Sequence, residues 1–153
     1  MPVTREQVER LLNRDEPDYA AALRLGANAV PHLLAIAREG DPGLAAKAVY
    51  LAAQLGGNGA ADVVTAGAAH PDPVPRVAAA AALGCMPAGQ RADISVRLLG
   101  DRDHAVRQRT LAALPESANP ALRQRLADLA DSLPEGLHKE DVRQAERKAR
   151  GRQ

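Results

Sequence analysis

Apolar residues recur along the chain with the spacing of amphipathic helices. From Val106 to Leu114 they occupy positions i, i+4, i+7 and i+8, with Thr110 as a small polar member, and the segment from Pro75 to Leu83 repeats this spacing. Such a pattern puts one face of a helix into a core, and no segment alternates in the way typical of a strand. The chain is therefore predicted to be all-α.

The helical pattern also repeats at a fixed interval. Asp41, Asp72 and Asp103 recur at equal intervals, which defines a 31-residue repeat, and each precedes a helical run rich in small residues. The helices before them keep the same interval in two rows of positions: Leu33, Val64, Ser95 and Leu126, and Ile36, Gly67, Leu98 and Leu129. One such helix pair cannot bury its own apolar face, so neighbouring pairs are expected to stack.

Short motifs predict where individual helices begin. The carboxylate of each repeated Asp can accept the free amides at a helix start, and Pro follows directly in two of the three copies. At the N-terminus, Thr4 to Gln7 form a capping-box pattern that predicts a helix from about Thr4 to Asn13. The segment from Leu137 to Arg150 is predicted as a final helix with a sparse apolar face.

The Asp-Pro-x-Val-Arg motif, followed by an Ala-rich run and Leu-Gly and recurring at this interval, resembles the HEAT-like repeats first described in bilin lyases. The resemblance covers roughly residues 15–134. It implies a right-handed α-solenoid of about four HEAT-like helical hairpins with N- and C-terminal capping helices. The chain would then comprise a repeat solenoid over residues 1–136 and a basic helical or flexible tail over residues 137–153.

The same resemblance implies an ion-pair ladder between successive repeats. Asp72 with Arg76 and Asp103 with Arg107 match the Asp and Arg that form this ladder in HEAT repeats. Ala45 occupies the arginine position in the preceding copy, so the ladder is expected to be interrupted there.

Composition and charge limit the partners and the compartment that this protein is expected to have. The 20 basic and 19 acidic residues nearly cancel, so the net charge demands no polyanionic partner. Cys85 is the single cysteine, so an intrachain disulfide is excluded and a reducing compartment is favoured. Its side chain is expected to be a buried, inert thiol. No segment has the apolar length of a signal peptide or membrane span, so a cytoplasmic protein without membrane contact is predicted.

Candidate chemistry is sparse, and no catalytic residue, metal site, cofactor or small-molecule substrate is predicted. The four histidines lie in different repeats without a ligand at the spacing that metal sites use. HEAT-like DNA glycosylases and bilin lyases are enzymes that this resemblance brings into consideration. The glycosylases depend on aromatic residues beside a carboxylate, whereas Tyr19 and Tyr50 are the only aromatic residues here. A non-enzymatic protein is therefore expected.

The resemblance implies that the helix after each Asp-Pro-x-Val-Arg motif lines a concave groove. Positions on these helices expected to lie outside the core form three rows: Ala46, Val77 and Gln108; Lys47, Ala78 and Arg109; Tyr50, Ala81 and Ala112. A smooth groove of this kind suits an extended peptide or an amphipathic helix, with Tyr50 as its anchor. High helix propensity alone also explains an Ala-rich outer face. The predicted partner-binding residues are Lys47, Tyr50, Val77, Ala81, Gln108 and Arg109.

A nucleic-acid partner is the alternative to a protein partner. Basic residues are concentrated in the second half of the chain: Arg91, Arg97, Arg102, Arg107, Arg109, Arg123, Arg125, Lys139, Arg143, Arg147, Lys148, Arg150 and Arg152. They could contact phosphates without reading base sequence. Interleaved aspartates weaken the field of these residues, so a protein-interaction scaffold or adaptor is the leading hypothesis and nucleic-acid binding the second.

Overall fold

A computed structural model describes residues 2–114 and 120–150, and within them every regular element is helical. The ten α-helices are α1 (Arg5–Leu12), α2 (Tyr19–Leu23), α3 (Val30–Glu39), α4 (Pro42–Leu55), α5 (Gly57–Ala68), α6 (Pro73–Ala81), α7 (Ala88–Leu99), α8 (His104–Ala113), α9 (Pro120–Ser132) and α10 (Leu137–Arg150). Two short 3-10 helices, Gly26–Ala29 and Leu83–Cys85, follow α2 and α6. The prediction of an all-α protein is confirmed.

The helices pack in an order that follows the chain. Each helix packs against the one two places further on, so the odd-numbered helices α1 to α9 form one series and the even-numbered helices α2 to α10 form another. Partners such as α3 and α4, or α9 and α10, pack against each other across the two series. The tertiary contacts are therefore mostly between near neighbours in the chain.

Local sequence decides where the helices begin and end. Asp41, Asp72 and Asp103 cap α4, α6 and α8, and each carboxylate accepts a backbone amide two or three residues further on at 2.8 to 3.2 Å. Thr4 forms the predicted capping box with Gln7 at the start of α1. Helix α4 ends where Gly56 adopts a φ of 72°, a conformation that favours glycine.

The 31-residue register predicted for the odd-numbered helices is confirmed by burial. Leu33, Val64, Ser95 and Leu126 are each at most 1% exposed. The Ser95 hydroxyl donates to the carbonyl of Arg91 at 2.6 Å, which makes its burial tolerable. Gly67, in the second row, allows α5 to approach α4, because an added Cβ would lie 2.5 Å from Val49 Cγ2.

Three expectations about individual side chains are wrong. Ala46 and Ala78 were expected outside the core, but they are only 7% and 1% exposed. Their small side chains allow neighbouring even-numbered helices to pack closely over them. Cys85 was expected to be buried, but it is exposed, because α6 ends at Ala81 and the chain continues in a short 3-10 helix.

A buried arginine joins the loop before α6 to the loop before α8. The guanidinium of Arg76 donates from Nε and Nη2 to both carboxylate oxygens of Asp101, at 2.8 and 3.3 Å. Its Nη1 donates to the carbonyls of His70 and Pro71 at 2.9 and 2.7 Å. The two side chains of the ion pair are only 9% and 10% exposed. This pairing satisfies both charges inside the protein.

A second buried arginine, one repeat interval further on, reproduces part of this arrangement and binds α10. Arg107 Nη1 donates to the carbonyl of Asp101 at 2.9 Å, the equivalent of the bond from Arg76 to His70. Its Nε donates to Asp141 Oδ2 at 3.0 Å. Asp141 lies on α10, whose apolar residues Val142, Ala145 and Ala149 are buried as well.

The resemblance implied ion pairs of Asp72 with Arg76 and of Asp103 with Arg107, and this prediction is wrong. Asp72 and Asp103 are helix caps, whereas Arg76 and Arg107 pair with Asp101 and Asp141. A cap carboxylate is occupied by the amides of its own helix. The arginines instead pair with carboxylates that lie further along the chain, in the loop before α8 and on α10.

Leu98→Ala is expected to lower the free energy of unfolding by about 2 to 4 kcal/mol, because truncation of a fully buried side chain leaves a cavity. Urea melts measure the loss. Leu137→Ala is the control, since this leucine is 73% exposed and its truncation should change stability by less than about 0.5 kcal/mol. Equal stability of the two variants would contradict the described core.

Arg76→Ala is expected to lower the free energy of unfolding by about 3 to 5 kcal/mol, because it leaves Asp101 buried without its counter-charge. Arg125→Ala breaks an ion pair with Asp93 that is largely exposed, so its cost should be below about 1 kcal/mol. Denaturant melts at neutral pH measure the free energy of unfolding of both variants. A similar small effect for both variants would show that Arg76 is not buried in an ion pair.

Candidate interaction surface

The predicted partner-binding residues all lie on helices of the even-numbered series. Helix α4 packs against α6, and α6 packs against α8, so the solvent-facing sides of the three helices adjoin. We call this face the even-helix surface. It comprises Lys47, Tyr50, Val74, Val77, Ala81, Gln108, Arg109 and Ala112. All eight are exposed or half-buried, and the helices that carry them are neighbours in the even-numbered series.

Four of the predicted residues have side chains that make no polar contact with the part of the chain that the structure describes. Tyr50 is 39% exposed, and Val77 and Ala81 are half-buried, with Val77 packed against the core. Arg109 is exposed, and within the described residues its guanidinium makes no side-chain hydrogen bond. This part of the surface is therefore available to a partner.

The other two predicted residues are engaged within the protein. Lys47 Nζ donates to the carbonyl of Arg14 at 2.8 Å, which holds the loop after α1 against α4. Gln108 Nε2 donates to Asp141 Oδ1 at 2.8 Å and so helps to attach α10. Lys47 keeps two further N–H donors, whereas Gln108 has a structural role in addition to any binding role.

Tyr19 belongs to this region, although sequence reasoning did not select it. Tyr19 lies on α2, which packs against α4, and its ring packs against the core. Burial raises the pKa of the Tyr19 phenol, and the nearby phenol of Tyr50 raises this pKa further. Tyr19 precedes Tyr50 by one repeat interval, so the repeat was the signal that could have identified it. Both aromatic residues of the chain are thus neighbours.

The even-helix surface has little charge, and what it has is positive. Helices α4, α6 and α8 contain no Asp or Glu. Arg76 and Arg107 are buried in ion pairs, which leaves Lys47 and Arg109 as the lysine and arginine exposed to a partner. His104 at the start of α8 faces Asp141, with Nδ1 and Oδ2 3.1 Å apart.

A separate cleft of about 550 Å³ lies between the odd-numbered helices α3 and α5. Leu34 and Ala66 contribute to its apolar wall, and Arg38, Asp62 and His70 contribute polar groups. His70 Nδ1 accepts the amide of the cap residue before α6 at 3.0 Å, so a neutral His70 ring carries its proton on Nε2. None of the predicted partner-binding residues lines this cleft.

Most of the basic residues that suggested a nucleic-acid track have partners inside the protein. Arg107 is buried, and Arg125 pairs with Asp93 at 2.6 Å. Further pairs join Lys139 and Arg143 to Glu135, Arg147 to Glu140, and Arg150 to Glu146. Arg97, Arg102 and Arg109 are exposed without a side-chain partner among the described residues, and Arg152 lies outside those residues. The free cations are therefore few.

No protein-family model and no curated protein matches the chain. Among the residues that the structure describes, no three His, Cys, Asp or Glu side chains are grouped to hold a metal ion. Within residues 2–114 and 120–150, no helix has both the length and the apolar character needed to cross a bilayer. What the even-helix surface binds has to follow from its own geometry and charge.

In a Tyr50→Phe variant, Tyr19 is the only tyrosine, and its pKa can be read directly from phenolate absorbance. We expect it above the ordinary value of about 10, because burial persists without the Tyr50 phenolate. A raised pKa means that the folded protein holds a proton that the unfolded chain has lost. Stability should therefore fall as pH rises above about 10. An ordinary pKa would contradict the burial of Tyr19.

Proposed function

We propose that this protein is a non-enzymatic interaction scaffold whose even-helix surface binds a peptide or amphipathic helix of another protein. The proposal is supported by the exposed Tyr50 on α4, by small and aliphatic residues on the neighbouring α6, and by Arg109 of α8, which is exposed without a side-chain partner among the described residues. Exposed tyrosines and arginines that can be desolvated by a partner supply much of the binding energy at protein interfaces.

We further propose that the fold is a HEAT-like, right-handed α-solenoid. Two observations support this proposal: the 31-residue repeat of caps and core positions, and the packing of each helix against the one two places further on. Stacked helix pairs of this class present extended surfaces for partners. Fold resemblance alone does not assign a function, so the case for binding depends on the surface residues.

A cytoplasmic location belongs to the same proposal. Cys85 is an exposed free thiol, and it is the only cysteine in the chain. Such a thiol persists in a reducing compartment and is prone to oxidation elsewhere.

Nucleic-acid binding ranks second, because eight of the thirteen basic residues named for it pair with carboxylates or donate to backbone carbonyls within the protein. The two aromatic residues are too few to provide a row of stacking platforms for single strands. If the protein bound duplex DNA, its retention on immobilised DNA would fall steeply as the salt concentration rises.

Tyr50→Ala is expected to weaken binding of the protein partner by more than about 1 kcal/mol while leaving the fold nearly intact. Affinity purification from the native host supplies the partner, and its affinity is then measured for the wild type and the variant by calorimetry. Leu137→Ala, another exposed apolar truncation, is the matched control and should bind normally. Melting curves of both variants confirm folding.

Two results would contradict this proposal. Unchanged affinity of Tyr50→Ala for every recovered partner would remove the even-helix surface from binding. Retention of the wild type on duplex DNA, lost in Arg109→Gln, would favour the nucleic-acid alternative.

A further inference from the structure

The two cations of the even-helix surface occupy equivalent positions on helices that flank α6. Lys47 and Arg109 are separated by two 31-residue intervals, and Ala78 is the equivalent residue between them. Ala78 is 1% exposed, so the equivalent position on α6 is buried and carries no charge. Adjacent packed helices have axes about 8 to 10 Å apart, which places the two helices that carry the cations about 16 to 20 Å apart.

No carboxylate of α4, α6 or α8 neutralises these cations, because the three helices contain none. Other carboxylates lie at the starts of these helices and on neighbouring elements, including Asp141 of α10, which accepts from Arg107 and Gln108. Those of Asp41, Asp72 and Asp103 are occupied as helix caps. Glu140 on α10 is held by Arg147 at 3.0 Å. Asp15 and Glu16 lie in the loop that precedes α2.

Helix α6, which packs between the two helices that carry the cations, offers apolar side chains. Val77 and Ala81 of α6 are half-buried there, and Tyr50 projects from α4 with 39% of its surface exposed. A partner segment that crosses the three helices would meet a cation, then an apolar centre, then a second cation. An α-helix rises 1.5 Å per residue, so the distance of about 16 to 20 Å corresponds to about 11 to 13 residues of a partner helix.

We propose that the even-helix surface binds an acidic amphipathic helix of a partner protein, about four turns long, which crosses α4, α6 and α8. Its apolar face covers Val77 and Ala81 beside Tyr50. An acidic residue near one end pairs with Lys47, and another about 11 to 13 residues away pairs with Arg109. This inference rests on the proposed scaffold function and specifies the chemistry of the partner.

A displayed library of helical peptides tests this inference on the full chain. The peptides keep one apolar stripe, and their remaining positions vary among Glu, Gln and Lys. Selection should enrich acidic residues at two positions about 11 to 13 residues apart. A selected peptide should lose affinity by about tenfold or more for Arg109→Glu, because attraction becomes repulsion. Its Lys-substituted counterpart should regain affinity for that variant.

Arg97→Glu is the matched control, since Arg97 is exposed on the odd-numbered helix α7 and has no side-chain partner among the described residues. It should bind the selected peptide as the wild type does. Melting curves for both charge-reversal variants establish that they are folded.

The outcomes separate this inference from the function on which it rests. Peptides that bind without a preference for acidic residues, but lose affinity for Tyr50→Ala, would overturn the acidic partner and leave the scaffold proposal standing. Peptides that bind Tyr50→Ala as well as the wild type would overturn both. Displacement of a selected peptide by duplex DNA, with weaker DNA binding by Arg109→Gln, would show that the cations serve a nucleic acid and would also overturn the inference.

Discussion

The need to neutralise buried guanidinium groups ties successive parts of this protein together. Arg76 and Arg107 are at most 8% exposed, and a buried charge without a partner destabilises a fold severely. Neither arginine finds its carboxylate on its own helix. Arg76 takes Asp101 from the loop before α8, and Arg107 takes Asp141 from α10. Helix α6 is thereby held to the loop before α8, and α8 is held to α10, which is attached by charge as well as by its buried apolar residues.

This arrangement has a direct consequence for the outer face of the even-numbered helices. Because the interior carboxylates neutralise Arg76 and Arg107, these two arginines are not available to a ligand. Among the described residues, Lys47 and Arg109 are the basic residues of α4, α6 and α8 that form no ion pair with a carboxylate. Ala46 and Ala78 are buried where the helices pack closely, and partly accessible positions of α6 hold small or aliphatic residues such as Val77 and Ala81. Tyr50 therefore offers far more contact area than its neighbours, which supports the proposed binding role.

Ion pairs in the C-terminal half also explain why its many basic residues need not form a nucleic-acid-binding surface. Arg125 with Asp93, and Arg147 with Glu140, illustrate how cations and anions that are separated in the chain meet on the surface. Such pairs contribute little to stability, but they lower the field that phosphates would feel. The same interleaving of charges keeps the protein close to neutral overall.

Local sequence determined the helices, their Asp caps, and the buried rows at 31-residue spacing, because capping and helical periodicity act within a few residues. It also predicted that Tyr50 and Arg109 lie outside the core, and both are exposed. Tertiary structure alone decided the partners of Arg76 and Arg107, the burial of Ala46 and Ala78, and the exposure of Cys85. These features depend on which surfaces meet when helix pairs stack, and residues such as Arg107 and Asp141, 34 positions apart, carry no local signal of their contact.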